Sequence, residues 1–354
     1  MILDNATIRR MYSSENRKRV LWTLAFVALA AVMFFITLGF GVYNISVMDA
    51  IGVFFDHLFG NEVDPRADEY VWNTRLPRAL GAIIAGAGLS IAGVIMQNDF
   101  KNPLAEPYTM GISSGAFLGA VLGIILNISI VPFVPDGSEV IVNAYLFSLL
   151  PVAIIAAFSK FRKLTPMSMI LTGIAVMFLF SSICQIIMVT APSESLADAY
   201  AWRVGSLDRV RWGSIPMMLG STAFFSVMLY MFAGRLNVMY VGDRSVKTLG
   251  ESPMTIRLVT MILASLLTAG IVSYTGTIGF IGLVGPHVAR IFVGSNNRYL
   301  IPASAAFGAA FILLADTIAK VSGINGLPVG VISSMVGGPL FMWILIRQRK
   351  NVWA

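Results

Sequence analysis

Apolar runs long enough to cross a bilayer recur along almost the whole chain: near 20–41, 79–97, 107–127, 141–159, 167–190, 214–233, 258–275, 277–293, 300–319 and 326–346. A spanning helix needs about 20 such residues. Backbone N–H and C=O groups in hydrocarbon find no water, and within a single segment only a helix satisfies them all. No stretch alternates with the period of a membrane barrel. The fold class that follows is an all-α polytopic membrane protein with about ten transmembrane helices. Composition agrees, since charged residues make up 12% of the sequence where a soluble domain carries about 25%.

An even number of crossings puts both termini on one side. Eighteen of the 25 lysines and arginines fall there, among them Arg9, Arg10, Arg17, Lys18 and Arg19 at the start and Arg347, Arg349 and Lys350 at the end. Seven lie opposite: Arg66, Arg75, Arg78, Arg203, Arg209, Arg211 and Lys320. Basic residues collect on the cytoplasmic side of membrane proteins, so both termini are expected in the cytoplasm. The same bias accounts for the formal net charge of +7 without any nucleic-acid partner. Eleven acidic residues, Asp136 and Asp208 among them, fall on the outer side; carboxylates contribute little to the orientation rule. The expected organisation is a cytoplasmic segment over 1–19, a single transmembrane domain over 20–346 and a cytoplasmic tail over 347–354. The first apolar run reads as a retained span, being longer than a signal-peptide core and lacking a small-residue cleavage site.

Within this frame a few segments carry more than hydrophobicity. Arg75-Leu76-Pro77-Arg78 sets two arginines at the outer end of the second span. Their spacing fits either snorkelling to the interface or reception of carboxylates from an outside partner. At the other end of that span Asn102-Pro103-Leu104-Ala105-Glu106-Pro107 forms a proline-broken polar turn. The run Gly276 to Pro286 holds four glycines and a proline, a poor helix, which predicts irregular backbone beside a pathway. The small-residue stretch Ala87 to Gly93 is echoed by Ala269 to Gly276. A five-span unit repeated once must be inverted, an arrangement common in transporters. In the longest cytoplasmic loop, Ser245 to Leu249 is predicted to form a short helix ended by Gly250.

Several chemistries are missing. No phosphate-binding loop and no paired-histidine zinc motif is present. His57 and His287 are placed on opposite sides, and His287 is expected at a helix end or at the lipid interface. The single cysteine, Cys184, forms no intrachain disulfide. Intramembrane charge reads as nearly absent, Asp316 and Lys320 forming one i, i+4 pair. An ion-coupled carrier calls for paired intramembrane charges and an intramembrane enzyme for convergent catalytic groups. Neither pattern is evident, so no catalytic or metal-binding residue is assigned.

Taken in order, these segments resemble the FecCD-type permease subunits of ATP-binding-cassette importers. The matching stretches are Arg75 to Arg78, the run into Gln97, Asn102 to Pro107, Gly111 to Ala116, Trp202 with Gly205-Ser206, Leu249-Gly250, Gly276 to Arg290, Leu314 to Asp316 and Leu327 to Val331. The resemblance implies a type II importer permease that pairs with a second permease, as a homodimer, above two ATP-binding cassette subunits and beneath an extracytoplasmic binding protein. ATP and magnesium would act on the partner ATPase, and this chain would carry no cofactor. It further implies binding-protein docking at Arg75, Arg78 and Lys320, a cytoplasmic gate at Asn102, Leu104, Pro166 and Met167, and ATPase coupling through Ser245, Val246, Lys247, Thr248, Leu249 and Gly250. Gly285 stands where the family often has a bulkier residue. The cargo implied is a bulky metal chelate, an iron-siderophore first and haem or cobalamin as the alternative, crossing the cytoplasmic membrane.

Overall fold

The computed structural model describes residues 5–41, 43, 45–135, 137–161, 165–323 and 326–347. Asp136, Arg162, Lys163, Arg349 and Lys350, which entered the charge comparison, lie outside the described residues. So does most of the expected C-terminal tail, and the side chains of Arg9, Arg10 and Lys160 are likewise not described.

Among the described residues all regular secondary structure is helical. The helices are α1 (Asn5–Leu38), α2 (Val47–Phe59), α3 (Pro65–Asp68), α4 (Leu76–Phe100), α5 (Ile112–Ile124), α6 (Glu139–Phe161), α7 (Pro166–Val189) and α8 (Ser193–Arg203). They continue with α9 (Ile215–Met231), α10 (Ala233–Val241), α11 (Asp243–Thr248), α12 (Pro253–Thr275), α13 (Ile281–Val293), α14 (Asn297–Val321) and α15 (Val329–Arg347). A π-helical turn, Glu69–Arg75, joins α3 to α4, and a 3-10 turn, Pro107–Met110, precedes α5. The second apolar run is therefore helical from Pro65, and Arg75 lies within it. The expected N-terminal segment is helical from Asn5, continuous with the first span.

Every predicted apolar run contains helix, although not every run is one uninterrupted helix of spanning length. Seven helical segments are long and apolar enough to cross a membrane, and the pair α9–α10, bent by 51°, makes an eighth. The runs near 107–127 and 277–293 each hold an irregular segment followed by a helix of only 13 residues. At 1.5 Å per residue such a helix covers about 20 Å, short of the roughly 30 Å hydrocarbon core. The physical reason is local: Gly111 (φ +83°) and Phe280 (φ +66°) cap these two helices in the left-handed region, where an upstream helical path cannot continue.

α4 is the central pillar, with 83% of its most apolar window buried against 11% for α1. Burial this complete requires small residues where backbones cross. Gly86 lies on the backbone of Gly308 in α14, and Gly93 lies on the carbonyl of Gly282 in α13, so a Cβ at either position would overlap main chain. The absence of a bulkier residue at Gly285 also has a consequence, since a Cβ there would overlap the Ser90 hydroxyl. α4 and α12 run antiparallel, with Asp99 meeting Thr260 and Gly88 meeting Ile271. Each is followed by an irregular segment and a short helix, so the order long helix, break, short helix occurs at both places where the sequence echo falls.

Candidate functional site

At the Leu76 end of α4 the three basic residues singled out in the sequence converge, in surroundings the sequence did not reveal. Arg78 Nε donates to Asp316 Oδ1 at 2.7 Å, and its Nη1 pairs with Asp208. Lys320 Nζ sits 2.9 Å from Asp316 Oδ2 and donates to Thr37 Oγ1 at 3.0 Å. Arg75 is buried; it donates to the carbonyl of Leu38 at 2.7 Å and to that of Tyr43. Its planar fork therefore ties the start of α4 to the end of α1, and together with Arg78, Lys320 and Asp208 it lines a cavity of about 180 Å³. The i, i+4 pair of Asp316 and Lys320 was readable on α14. Asp208, an outer acidic residue in the sequence, was not recognised as a partner of Arg78. It is fixed by Ser206, whose hydroxyl donates to Asp208 Oδ2 at 2.7 Å, a local side-chain turn that was available as a signal.

At the Phe100 end a second network links α4 to the loop that carries the residues expected to contact the ATPase. Lys101 Nζ donates to Asp243 Oδ1 at 2.9 Å, and Arg257 Nη2 reaches the same carboxylate at 3.3 Å. Thr260 Oγ1 donates to Asp99 at 2.9 Å. Partial burial pushes the Asp243 carboxyl up, but the bond from Lys101 and the charges of Arg257 and Lys101 outweigh it and hold the group below its ordinary value. The predicted short helix is α11, and it closes as expected. Gly250, at φ +78°, donates to the Lys247 carbonyl at 3.0 Å and Glu251 donates to that of Val246 at 3.3 Å, the paired bonds of a left-handed helix stop. Val246 is buried beneath α11, whereas Leu249 is 67% exposed. Ser245, Lys247 and Thr248 complete the helix, and the Thr248 hydroxyl donates to the Ser245 carbonyl.

The four expected gate residues occupy two helix approaches. Asn102 Oδ1 accepts from Leu104 N at 2.9 Å, the side-chain turn for which asparagine is suited, and this turn presents Leu104 outward. Pro166 is the first residue of α7, capped by Thr165 through a reciprocal pair with Ser168. Met167 follows and is exposed.

The interior holds more polar chemistry than the sequence suggested, which corrects the expectation that intramembrane charge is nearly absent. Asp99, Glu106, Arg257, His287 and Arg290 are all buried along with Asp316. Pro286 lacks the N–H that would bond the Gly282 carbonyl one turn back. Gln97 Nε2 donates to that carbonyl instead, at 3.3 Å, while Arg290 Nη2 donates to Gln97 Oε1 at 3.1 Å. His287 is not at an interface: it is fully buried, with Nδ1 2.7 Å from the Leu283 carbonyl and its ring edge-on to Phe341. Tyr108 bridges the two irregular segments, its hydroxyl donating to the Ile278 carbonyl at 2.6 Å and accepting from Ile278 N at 2.8 Å. No residue type in a local window announces the bonds of Gln97 to Gly282 and Arg290 or of Tyr108 to Ile278, because each joins positions more than 150 apart. Among the described residues no group of three or more His, Cys, Asp or Glu is placed to hold a metal ion.

Residues 29–347 match the FecCD transport family. An uncharacterized ABC transporter permease protein, YvrB of Bacillus subtilis, is 35% identical over 95% of this chain and 96% of its own length. The hemin transport system permease protein HmuU of Yersinia pestis is 33% identical over 80% of this chain and 85% of its own. An ABC transporter of the metal-chelate type, solved in an inward-facing conformation, superposes with a TM-score of 0.81 at 28% identity, over 92% of this chain and 98% of that one.

Proposed function

Because the chain belongs to the FecCD transport family, we propose that it forms one half of the membrane pathway through which a bulky metal chelate, foremost an iron-siderophore, is imported. It is an ABC importer permease, a multi-pass inner-membrane subunit and not itself an enzyme; ATP hydrolysis belongs to a separate subunit. The proposed assembly is a homodimer of this chain, two ATP-binding cassette subunits that bind ATP and magnesium, and an extracytoplasmic binding protein. Residues 20–346 act as one transmembrane domain, with the segments 1–19 and 347–354 on the ATPase side.

One observation carries the reading: the most buried helix has a charge network at each end, and each network borders an exposed surface. At the Arg78 end, three cations face two carboxylates, which leaves an excess positive charge for acidic groups of the binding protein. Arg78 and Lys320 supply that field, and Arg75 supports it by holding α1 against α4. At the other end, α11 rests on the ATPase through the exposed Leu249. A displacement of α11 pulls on Asp243, then on Lys101, whose neighbours Asn102 and Leu104 form the gate together with Pro166 and Met167. A small soluble motion thereby becomes a change at the pathway, since packed interfaces respond as discrete alternatives rather than by gradual deformation.

The test is uptake in lipid vesicles containing this chain, its ATPase and the binding protein. Concentrative uptake of the chelate held by that binding protein is expected, and it stops when the ATPase loses its catalytic glutamate. Uptake that persists in the dead-ATPase vesicles rejects the pump. A binding protein that holds haem or cobalamin instead replaces the siderophore assignment.

A further inference from the structure

A second cavity, of about 340 Å³ and with a lining of its own, opens between the irregular segments, lined by Tyr108, Ser113, Arg203, Thr277, Gly330 and Ser334 among others. Its depth follows from contacts already described. Tyr108 is bonded to Ile278 in both directions, and four residues later Gly282 packs on Gly93, well inside the Leu76–Phe100 helix. Non-helical backbone at that level persists where it is buried in protein or lines a wet cavity, and here Ile278 is buried while Thr277 and Gly279 line the cavity. Ligand sites span roughly 300–1,000 Å³, so this one has room for an arm of a bulky chelate and not for all of it.

The lining has one sign of charge. Arg203 is the single charged residue there. Its guanidinium faces the Phe117 ring at 5.3 Å, and among the described residues no carboxylate is within ion-pair distance of it. The side chains beside it are hydroxyls, those of Ser113, Thr277 and Ser334. Ser113 lies in the first turn of α5, and Gly330 in the first turn of α15, so two positive helix ends add to the same field. Arg203 is exposed, so its charge is open to an incoming anion.

We propose that this cavity is a transit subsite for anionic cargo, in which Arg203 receives a carboxylate of the passing chelate. The proposal rests on the importer reading and narrows its substrate class to chelates that carry negative charge. The Ser113 hydroxyl and the helix ends orient the carboxylate, while weak, one-armed capture lets the cargo leave again.

The test uses thiol labelling of the purified full-length permease, without ATPase or binding protein, so its result is independent of the uptake experiment. Ser334→Cys places a thiol in the cavity, and the wild-type chain, whose only cysteine is the buried Cys184, supplies the blank. Rates are measured with an anionic sulfonatoethyl and a cationic trimethylammonioethyl methanethiosulfonate, each normalised to free cysteine. The anionic reagent is expected to be favoured about tenfold, the scale of focusing in a charged cleft. Arg203→Gln should abolish the preference and Arg203→Lys should keep it. Ferric citrate, as an anionic chelate probe, should slow labelling in the parent and not in Arg203→Gln. Equal normalised rates, a preference that survives Arg203→Gln, or a thiol that neither reagent reaches would each overturn the proposal.

Discussion

The two ends of α4 handle charge in opposite ways. At the Arg78 end Asp316 and Lys320 are almost completely buried, and only Asp208, 60% exposed, meets water. At the Asp243 end the pair of Lys101 and Asp243 is 39% and 41% exposed. In the first network Arg78 and Lys320 hold Asp316 and Asp208, with Arg75 alongside on backbone carbonyls, whereas in the second Asp243 alone faces both Lys101 and Arg257. A desolvated cluster has few alternatives to its own geometry and serves as an anchor. A half-wet pair such as Lys101 and Asp243 breaks and re-forms at small cost, which suits the moving joint proposed above. The same helix therefore has a fixed end and an adjustable end.

The most severe way to break this contrast is Asp316→Ala. It leaves Arg78 and Lys320 without their shared partner in a buried site and should cost about 3–5 kcal/mol, read as a lower thermal midpoint in detergent. A loss of under about 1 kcal/mol, the range of exposed pairs, would mean that the anchor is no drier than the joint. Asp243→Ala takes a partner from half-exposed Lys101 and from buried Arg257, which keeps its bond to the Asp99 carbonyl, and should cost about 1–3 kcal/mol while lowering uptake per ATP hydrolysed roughly tenfold, as about 1.4 kcal/mol of lost coupling would. Uptake and hydrolysis that stay in proportion would remove the joint.

A milder change is Asp208→Asn, which takes one exposed carboxylate from the anchor and increases its excess positive charge. Binding-protein affinity should rise about threefold at low salt and return to the parental value near 0.5 M, where screening is strong. Affinity that is the same at all salt concentrations would place docking elsewhere. The smallest effect concerns pH. The Asp243 carboxyl is held below its ordinary value, so it favours the folded state above the unfolded value of about 3.9 and loses that contribution as pH falls through the folded value. The stability difference between the parent and Asp243→Asn should be constant from about pH 7 to pH 5 and shrink only in stronger acid. A difference that closes near neutrality would show that the clamp does not hold the carboxyl in its charged form.

What could be read beforehand follows the range of each interaction. The short helix α11 and its Gly250 stop were legible because both depend on a handful of consecutive residues. So was the pairing of Asp316 with Lys320, one helical turn apart. The break before α13 was legible in its glycines, although the shortness of α5 and α13 as helices was not. Arg78 meeting Asp316, Gln97 filling the carbonyl orphaned by Pro286, and Tyr108 clasping Ile278 join positions too distant for any local pattern to connect.

The sequence by itself determined that this chain lives in a membrane, where its helices lie and which loops carry charge, because hydrocarbon imposes its demand on each segment separately. The tertiary structure alone decided which charges are sealed and which stay wet, and where Arg203 comes to face a cavity. Those outcomes depend on helices approaching to backbone contact at Gly86 and Gly93, and a polar group at membrane depth is satisfied only by the partner that such an approach brings.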